Sequence, residues 1–181
     1  MNIIRKSWPH DTLQNAGSAW VGLEDYVNPI IEEFNIKPEK ALEFGVDQGY
    51  SSYVLSKAFE KVTGVDSFVG DIHICKQQGD GFYESVKEQF LNTNVEIIRS
   101  SFEDFILTNK DRYDLIHIDI VHLYEPTYKC AEWSLDHSDV VILHDTMSHE
   151  AIYKVCVDLA TAKGVNFYNI PEHYGLGILF R

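Results

Sequence analysis

The stretch LIHIDIVHLYE, residues 115–125, starts as a strand fit for burial on both faces and then fills with groups that bind protons and metals. His117, Asp119 and His122 fall within six positions, and Tyr124 follows. A second pair, His144-Asp145, closes the apolar run DVVILHD at 139–145. Asp119 ends one expected strand and Asp145 the next, so neighbouring strands would bring the two carboxylates to one site. Two carboxylates completed by ligand oxygens and water suit Mg²⁺ or a similar hard cation. His122 lies just past Asp119, on the loop leaving the strand, with an imidazole able to take a proton near neutral pH. His117 alternates with Ile116 and Ile118 inside the strand, as a hydrogen-bonded buried histidine does. His144 is either a further ligand or a residue that orients Asp145. Tyr124 either lines a pocket or covers the next helix.

The elements that must position these groups alternate along the chain. KALEFGV (40–46), KVTGVD (61–66), VEIIRS (95–100), YDLIHID (113–119) and DVVILHD (139–145) read as strands. Between them lie amphipathic stretches. SSYVLSKAFEKV puts Val54, Leu55, Ala58, Phe59 and Val62 on one helical face. GFYESVKEQFLN (81–92) and SFEDFILT (101–108) are further helices, and Pro126 suits the first turn of another. Ser148 is the expected cap of the helix that Ile152, Val155, Cys156 and Leu159 stripe and Gly164 ends. The tail, VNFYNIPEHYGLGILFR, reads as two strands without a helix between them, hence antiparallel. The fold class is therefore α/β: a Rossmann-like, seven-stranded, mainly parallel sheet with a final antiparallel pair and helices on both faces.

Leu23, Val27, Ile30, Ile31 and Phe34 are at helical spacing, with Asn28-Pro29 as a break or restart. Residues 1–37 are thus expected to be an N-terminal helical extension packed on a core domain spanning 38–181. So short a leading segment leaves the pocket open or completed by a second copy, a homodimer.

At 181 residues the chain is the size of one domain. Its net charge of −13, without a Lys/Arg cluster, argues against nucleic acid and membrane surfaces as partners. The three cysteines, Cys75, Cys130 and Cys156, have no CxxC spacing and read as buried thiols of a reducing compartment. No apolar run approaches the roughly 18 residues that a membrane span needs. A cytoplasmic location follows.

Open sheets of this kind bind ligands beyond the carboxyl ends of their strands. In EFGVDQGYS (43–51) Gly45 lets the chain turn, Gly49 lets a ligand approach and Ser51 can cap the following helix. Asp66, roughly twenty residues on, is placed to accept hydrogen bonds from ribose hydroxyls. Ser101-Phe102 offers an adenine a hydrogen bond and an apolar face. The spacing is GxxxG rather than GxGxxG, and Asp47 inside the loop would repel a pyrophosphate. A nucleoside without phosphates fits better.

LEFGVDQGYSS, VTGVDS, IIRSSFEDF, YDLIHIDIVHLYE and VVILHDT together resemble the class I S-adenosylmethionine-dependent methyltransferases, and more narrowly the small-molecule and sugar O-methyltransferases. The resemblance implies that Glu43, Gly45, Gly49, Ser51, Asp66, Ser101 and Phe102 hold S-adenosylmethionine. It also implies a D-x-x-H element, Asp119 and His122, with the aspartate on a metal, Asp145 as second ligand and the histidine as base. Catechol-type relatives carry an asparagine ligand after the second aspartate, where this chain has Thr146. The expected activity is methylation of a hydroxyl of a small-molecule acceptor, with Mg²⁺ assisting. Two other readings stay open: a cofactor-binding partner or regulatory protein without catalysis, and an NAD(P)-dependent oxidoreductase.

Overall fold

The computed structural model describes residues 3–5, 18–70 and 80–181. The short apolar runs become seven strands: β1 (Lys40–Phe44), β2 (Lys61–Asp66), β3 (Val95–Arg99), β4 (Leu115–Ile118), β5 (Val140–His144), β6 (Asn166–Ile170) and β7 (Leu176–Phe180). They form one sheet in the order β3-β2-β1-β4-β5-β7-β6. The pairs from β3 through β5 are parallel, whereas β7 runs antiparallel to both β5 and β6. The order reverses direction between β1 and β4, and that switch point opens the crevice in which such sheets take ligands.

The helices are α1 (Glu24–Glu33), α2 (Tyr50–Ala58), α3 (Asp80–Gln89), α4 (Phe102–Thr108), α5 (Tyr124–His137) and α6 (Glu150–Lys163). Side chains alternate along each strand, so the core divides into two layers. Ala41, Leu115, Val140 and Ile142 meet α1, α2 and α3. Leu42, Phe44, Ile116, Ile118, Val141 and Leu143 meet α4, α5 and α6.

The same alternation sends Glu43 and His117 into the first layer. They are register partners on β1 and β4, and both are completely buried. His117 Nδ1 lies 2.8 Å from Glu43 Oε1, while Trp20 Nε1 donates to His117 Nε2 at 3.0 Å. Because Nε2 accepts, the ring hydrogen sits on Nδ1 and is donated to Glu43. Ser52 of α2 donates to the other carboxyl oxygen. His117 is therefore a structural histidine, as its place inside the strand suggests.

Several expectations shift in detail. The face drawn from Val54 to Val62 does not belong to one helix: α2 stops at Ala58, Phe59 is already extended, and Val62 is a core residue of β2. Strand pairing of Lys61–Asp66 on both sides takes those residues out of the helix. Asn28-Pro29 does not break α1, which runs through Pro29 with that ring buried; the apolar stripe from Leu23 to Ile30 packs on the core and offsets the lost hydrogen bond. Ser51 does not cap α2. It lies inside that helix, whose N-cap position is Gly49. Ser148 does not cap α6, whose N-cap position is His149; its hydroxyl bonds back to Asp145 instead. Ser101 does cap α4, accepting from Asp104 N at 3.1 Å. Cys130 and Cys156 are free and buried, and Cys75 lies outside the described residues. Among the described residues no helix is long and apolar enough to cross a membrane.

Replacing His117 by Ala removes a donor to Glu43 and an acceptor for Trp20 in a fully buried layer. At about 1–3 kcal/mol for each buried group left unpaired, His117→Ala is expected to lower the unfolding free energy by about 2–6 kcal/mol in urea titration. A loss under about 1 kcal/mol would show that the network does not organise the sheet.

Candidate active site

The cavity at the switch point has a volume of about 580 Å³, within the range of small-molecule sites. Its wall begins with the turn after β1. Gly45 has φ +88°, and a Cβ placed there would lie 1.8 Å from the Asp119 carbonyl oxygen. The glycine thus serves the close approach of the β1 and β4 ends. Gly49 also has positive φ, but its open side faces the Phe90 ring at 2.7 Å rather than the cavity. Asp66 holds the turn in shape: Oδ2 accepts from Val46 N at 2.8 Å and Asp47 N at 3.0 Å, and Oδ1 accepts from Phe68 N at 2.7 Å. With about four acceptor positions on a carboxylate, one remains for a ligand.

Gly45, Ser51, Asp66, Ser101, Phe102, Asp119, His122 and Asp145 all line the cavity. Glu43 does not, since its carboxyl is spent on Ser52 and His117 behind the wall. Tyr124 points away, its hydroxyl donating to Asp158 of α6 at 2.6 Å. That pairing settles the choice left by the sequence: Tyr124 ties α5 to α6.

The chemistry-bearing cluster forms where β4 and β5, paired in parallel, end side by side. His122 Nε2 is 2.8 Å from Asp145 Oδ2 and 3.5 Å from Asp119 Oδ1. His144 Nδ1 is 3.1 Å from Asp119 Oδ2 and 3.5 Å from Asp145 Oδ2. Asp145 has φ +66°, a left-handed conformation that aspartate tolerates better than most residues and that recurs at functional sites. Ser148 secures its carboxylate.

Burial opposes charge here, yet contact overrides it. Desolvation would lower the His122 pKa, but hydrogen bonds and attraction from Asp119 and Asp145 raise it to about 10. The near-neutral imidazole expected from the sequence is thus held cationic between its two carboxylates. Burial likewise would raise Asp119, but His122 and His144 hold it well below the usual carboxylate range. Asp145 moves down and His144 up for matching reasons.

Asp119, His144 and Asp145 each offer a ligand atom, all within 4.8 Å of one another; His122, Asp145 and His149 form a second such group. Mixed oxygen and imidazole donors so close together suit a divalent cation, and the residues fit the metal site expected here.

Residues 42–146 match the family described as a methyltransferase domain. The chain belongs to this family. A curated relative, an rRNA adenine N-6-methyltransferase of Clostridium perfringens, is 26% identical over 143 residues, covering 78% of this chain. This chain spans about half of that protein, 53% of its length. Solved structures share the fold at low identity. A candidate caffeoyl-CoA O-methyltransferase from Staphylococcus aureus superposes with a TM-score of 0.67 at 18% identity, covering 88% of this chain and 82% of its own. An O-methyltransferase from Bacillus cereus in complex with S-adenosylhomocysteine gives 0.65 at 13%, covering 88% and 80%.

Two residues of the methyltransferase site escaped the sequence reading. His149 stacks on His122 with ring centroids 4.1 Å apart and planes at 7°. Its backbone N donates to Asp145 O at 3.0 Å; a histidine four residues beyond the strand-end aspartate was the available signal. Trp20 lines the cavity and bonds a histidine 97 positions away, a contact with no local signature.

Gly45→Ala is expected to destabilise the methyltransferase by well over about 2 kcal/mol, since left-handed strain adds to a backbone clash. Gly81→Ala, on the exposed first turn of α3 with nothing within 4 Å of an added Cβ, is expected to be neutral or to gain up to about 1 kcal/mol. Urea titration of both variants checks the contrast.

Proposed function

We propose that this methyltransferase moves the methyl group of S-adenosylmethionine to a hydroxyl oxygen of a small acceptor. The observation that carries the reading is the convergence of Asp119, Asp145 and His122 at the edge of the cavity that Gly45, Asp66 and Ser101-Phe102 line. Asp47, Asp66, Glu103, Asp119 and Asp145 line that cavity, with no Lys or Arg among its described residues. Such a wall attracts the cationic sulfonium cofactor and repels phosphates. The Bacillus cereus relative, whose fold this chain shares, was crystallised with the demethylated cofactor. The same wall argues against polynucleotide acceptors, although one relative is named for an rRNA adenine. A cytoplasmic location accords with this chemistry.

In the transfer the methyl carbon leaves sulfur, which keeps the bonding electron pair, and a carbon–oxygen bond forms to the acceptor. The acceptor loses its hydroxyl proton, and alignment of oxygen with methyl carbon provides much of the acceleration. His122 Nε2 would receive that proton once a cation held by Asp119 and Asp145 has displaced its own, and His149 holds the ring plane by stacking. Asp119 and Asp145 would hold a divalent cation, which when bound supplies positive charge that lowers the pKa of a bound hydroxyl and competes with the His122 proton. Trp20, fixed by His117, closes the wall nearby.

Methyl-labelled cofactor with panels of catechols, sugars and an RNA oligonucleotide tests the reading. Label is expected in a small hydroxylated acceptor; label in RNA alone would overturn that acceptor class. Chelation is expected to cut turnover sharply. His122→Ala is expected to lower it by about 10²–10⁴-fold with S-adenosylhomocysteine affinity retained in calorimetry.

A further inference from the structure

We propose that His144 is a metal ligand, and that with Asp119 and Asp145 it makes a site selective for a first-row transition cation over Mg²⁺. The inference rests on the assignment of Asp119 and Asp145 to a cation made above, and names the cation class. His144 is the last residue of β5, and its side chain is only 1% exposed. Its Nε2 lies 3.3 Å from the His173 carbonyl oxygen. A carbonyl can only accept, so the ring hydrogen belongs on Nε2.

The other ring nitrogen, Nδ1, points at Asp119 Oδ2, 3.1 Å away, and Asp145 Oδ2, 3.5 Å away. The three candidate ligand atoms lie within 4.8 Å of one another at the cavity wall, with the His144 ring buried and Asp119 27% exposed. An imidazole with one nitrogen anchored to a carbonyl and the other aimed at two carboxylates is the arrangement by which proteins present histidine to a metal, and a cation bound there would take the place of the ring proton at Nδ1.

The donor following Asp145 supports this assignment. The left-handed turn at Asp145 sends Thr146 to Asn169 of β6, where its hydroxyl donates to Oδ1 at 2.6 Å. Thr146 is therefore spent on the sheet, and the third ligand is supplied by the residue before the aspartate. One imidazole nitrogen among two carboxylates moves the preference from Mg²⁺, which takes oxygen and keeps its waters, toward Mn²⁺, Fe²⁺, Co²⁺ or Zn²⁺.

Titration calorimetry of metal-free native protein with CoCl₂ and with MgCl₂ tests selectivity without reference to turnover. Co²⁺ is expected to bind on the order of 100-fold tighter or more. Proton NMR of the Co²⁺ form should show a hyperfine-shifted N–H resonance, slow to exchange because the His173 carbonyl covers it. His144→Gln is expected to lose that resonance and about 10–100-fold of Co²⁺ affinity. Should that variant not fold, Asp119→Asn, altered at a more exposed ligand, is expected to weaken Co²⁺ binding. Equal affinity for Mg²⁺ and Co²⁺ in the native protein, or a shifted resonance that survives His144→Gln, overturns the proposal. Co²⁺ bound through His144 without any S-adenosylhomocysteine binding would support this cation assignment while overturning the function proposed above.

Discussion

A carboxyl group buried in the middle of a β-sheet is the constraint around which this molecule is arranged. Glu43 lies on β1 in the interior of the sheet with none of its surface exposed, and protein groups satisfy it. Its partners come from three parts of the chain: His117 across the β1–β4 pair, Ser52 nine residues on in α2, and Trp20 through His117. A slip of one residue in β4 would put Ile116 or Ile118 opposite Glu43 and turn His117 into the other layer. The polar pair therefore fixes a register that apolar residues alone would specify weakly, since Ile and Leu occupy both faces of these strands.

That register propagates to the site. With Phe44 opposite Ile118, the next residues out are Gly45 and Asp119, and Asp119 N donates to Phe44 O at 2.8 Å. Only a residue without a Cβ can sit against the Asp119 carbonyl. The turn after β1 and the acidic end of β4 are thus adjusted to each other by one backbone contact. Asp66 adds the third side by gathering the N–H groups of Val46, Asp47 and Phe68. That side of the cavity wall is thus backbone gathered by one carboxylate.

Much of this was legible in the sequence, and the reasons for success and failure are physical. Strands buried on both faces announce themselves as continuous apolar runs, so the sheet and its closing antiparallel pair could be read directly. The strand-end carboxylates Asp119 and Asp145 could be found because topology sends such residues to one edge. Helix ends were less accessible. Ser51 and Ser148 have the side chains of caps, yet Gly49 and His149 occupy the cap positions, with Gly49 N bonded back to Val46 O and the Ser148 hydroxyl bonded back to Asp145. Glu43 and Gly49 sit in a motif that reads as ligand-binding, but one faces Ser52 and His117 and the other faces Phe90. A motif fixes residue types; which face each takes depends on strand parity and on neighbours far along the chain. Trp20 was invisible for the same reason, its partner His117 lying 97 positions away.

The cluster at the end of β4 and β5 shows why these carboxylates tolerate one another. Asp119 and Asp145 would repel if they stood alone, and burial would drive both toward the neutral form. Two histidines between them reverse that outcome, one from the loop after β4 and one from the end of β5. In the metal-free protein the imidazoles supply the positive charge, through protons that a bound cation would have to displace. A cation bound as proposed would enter a site already shaped to its charge, with Ser148 and the His173 carbonyl holding Asp145 and His144 in place. The cost of assembling like charges is met on folding rather than at the moment of binding, the condition under which electrostatic stabilisation of a reacting oxygen is strongest.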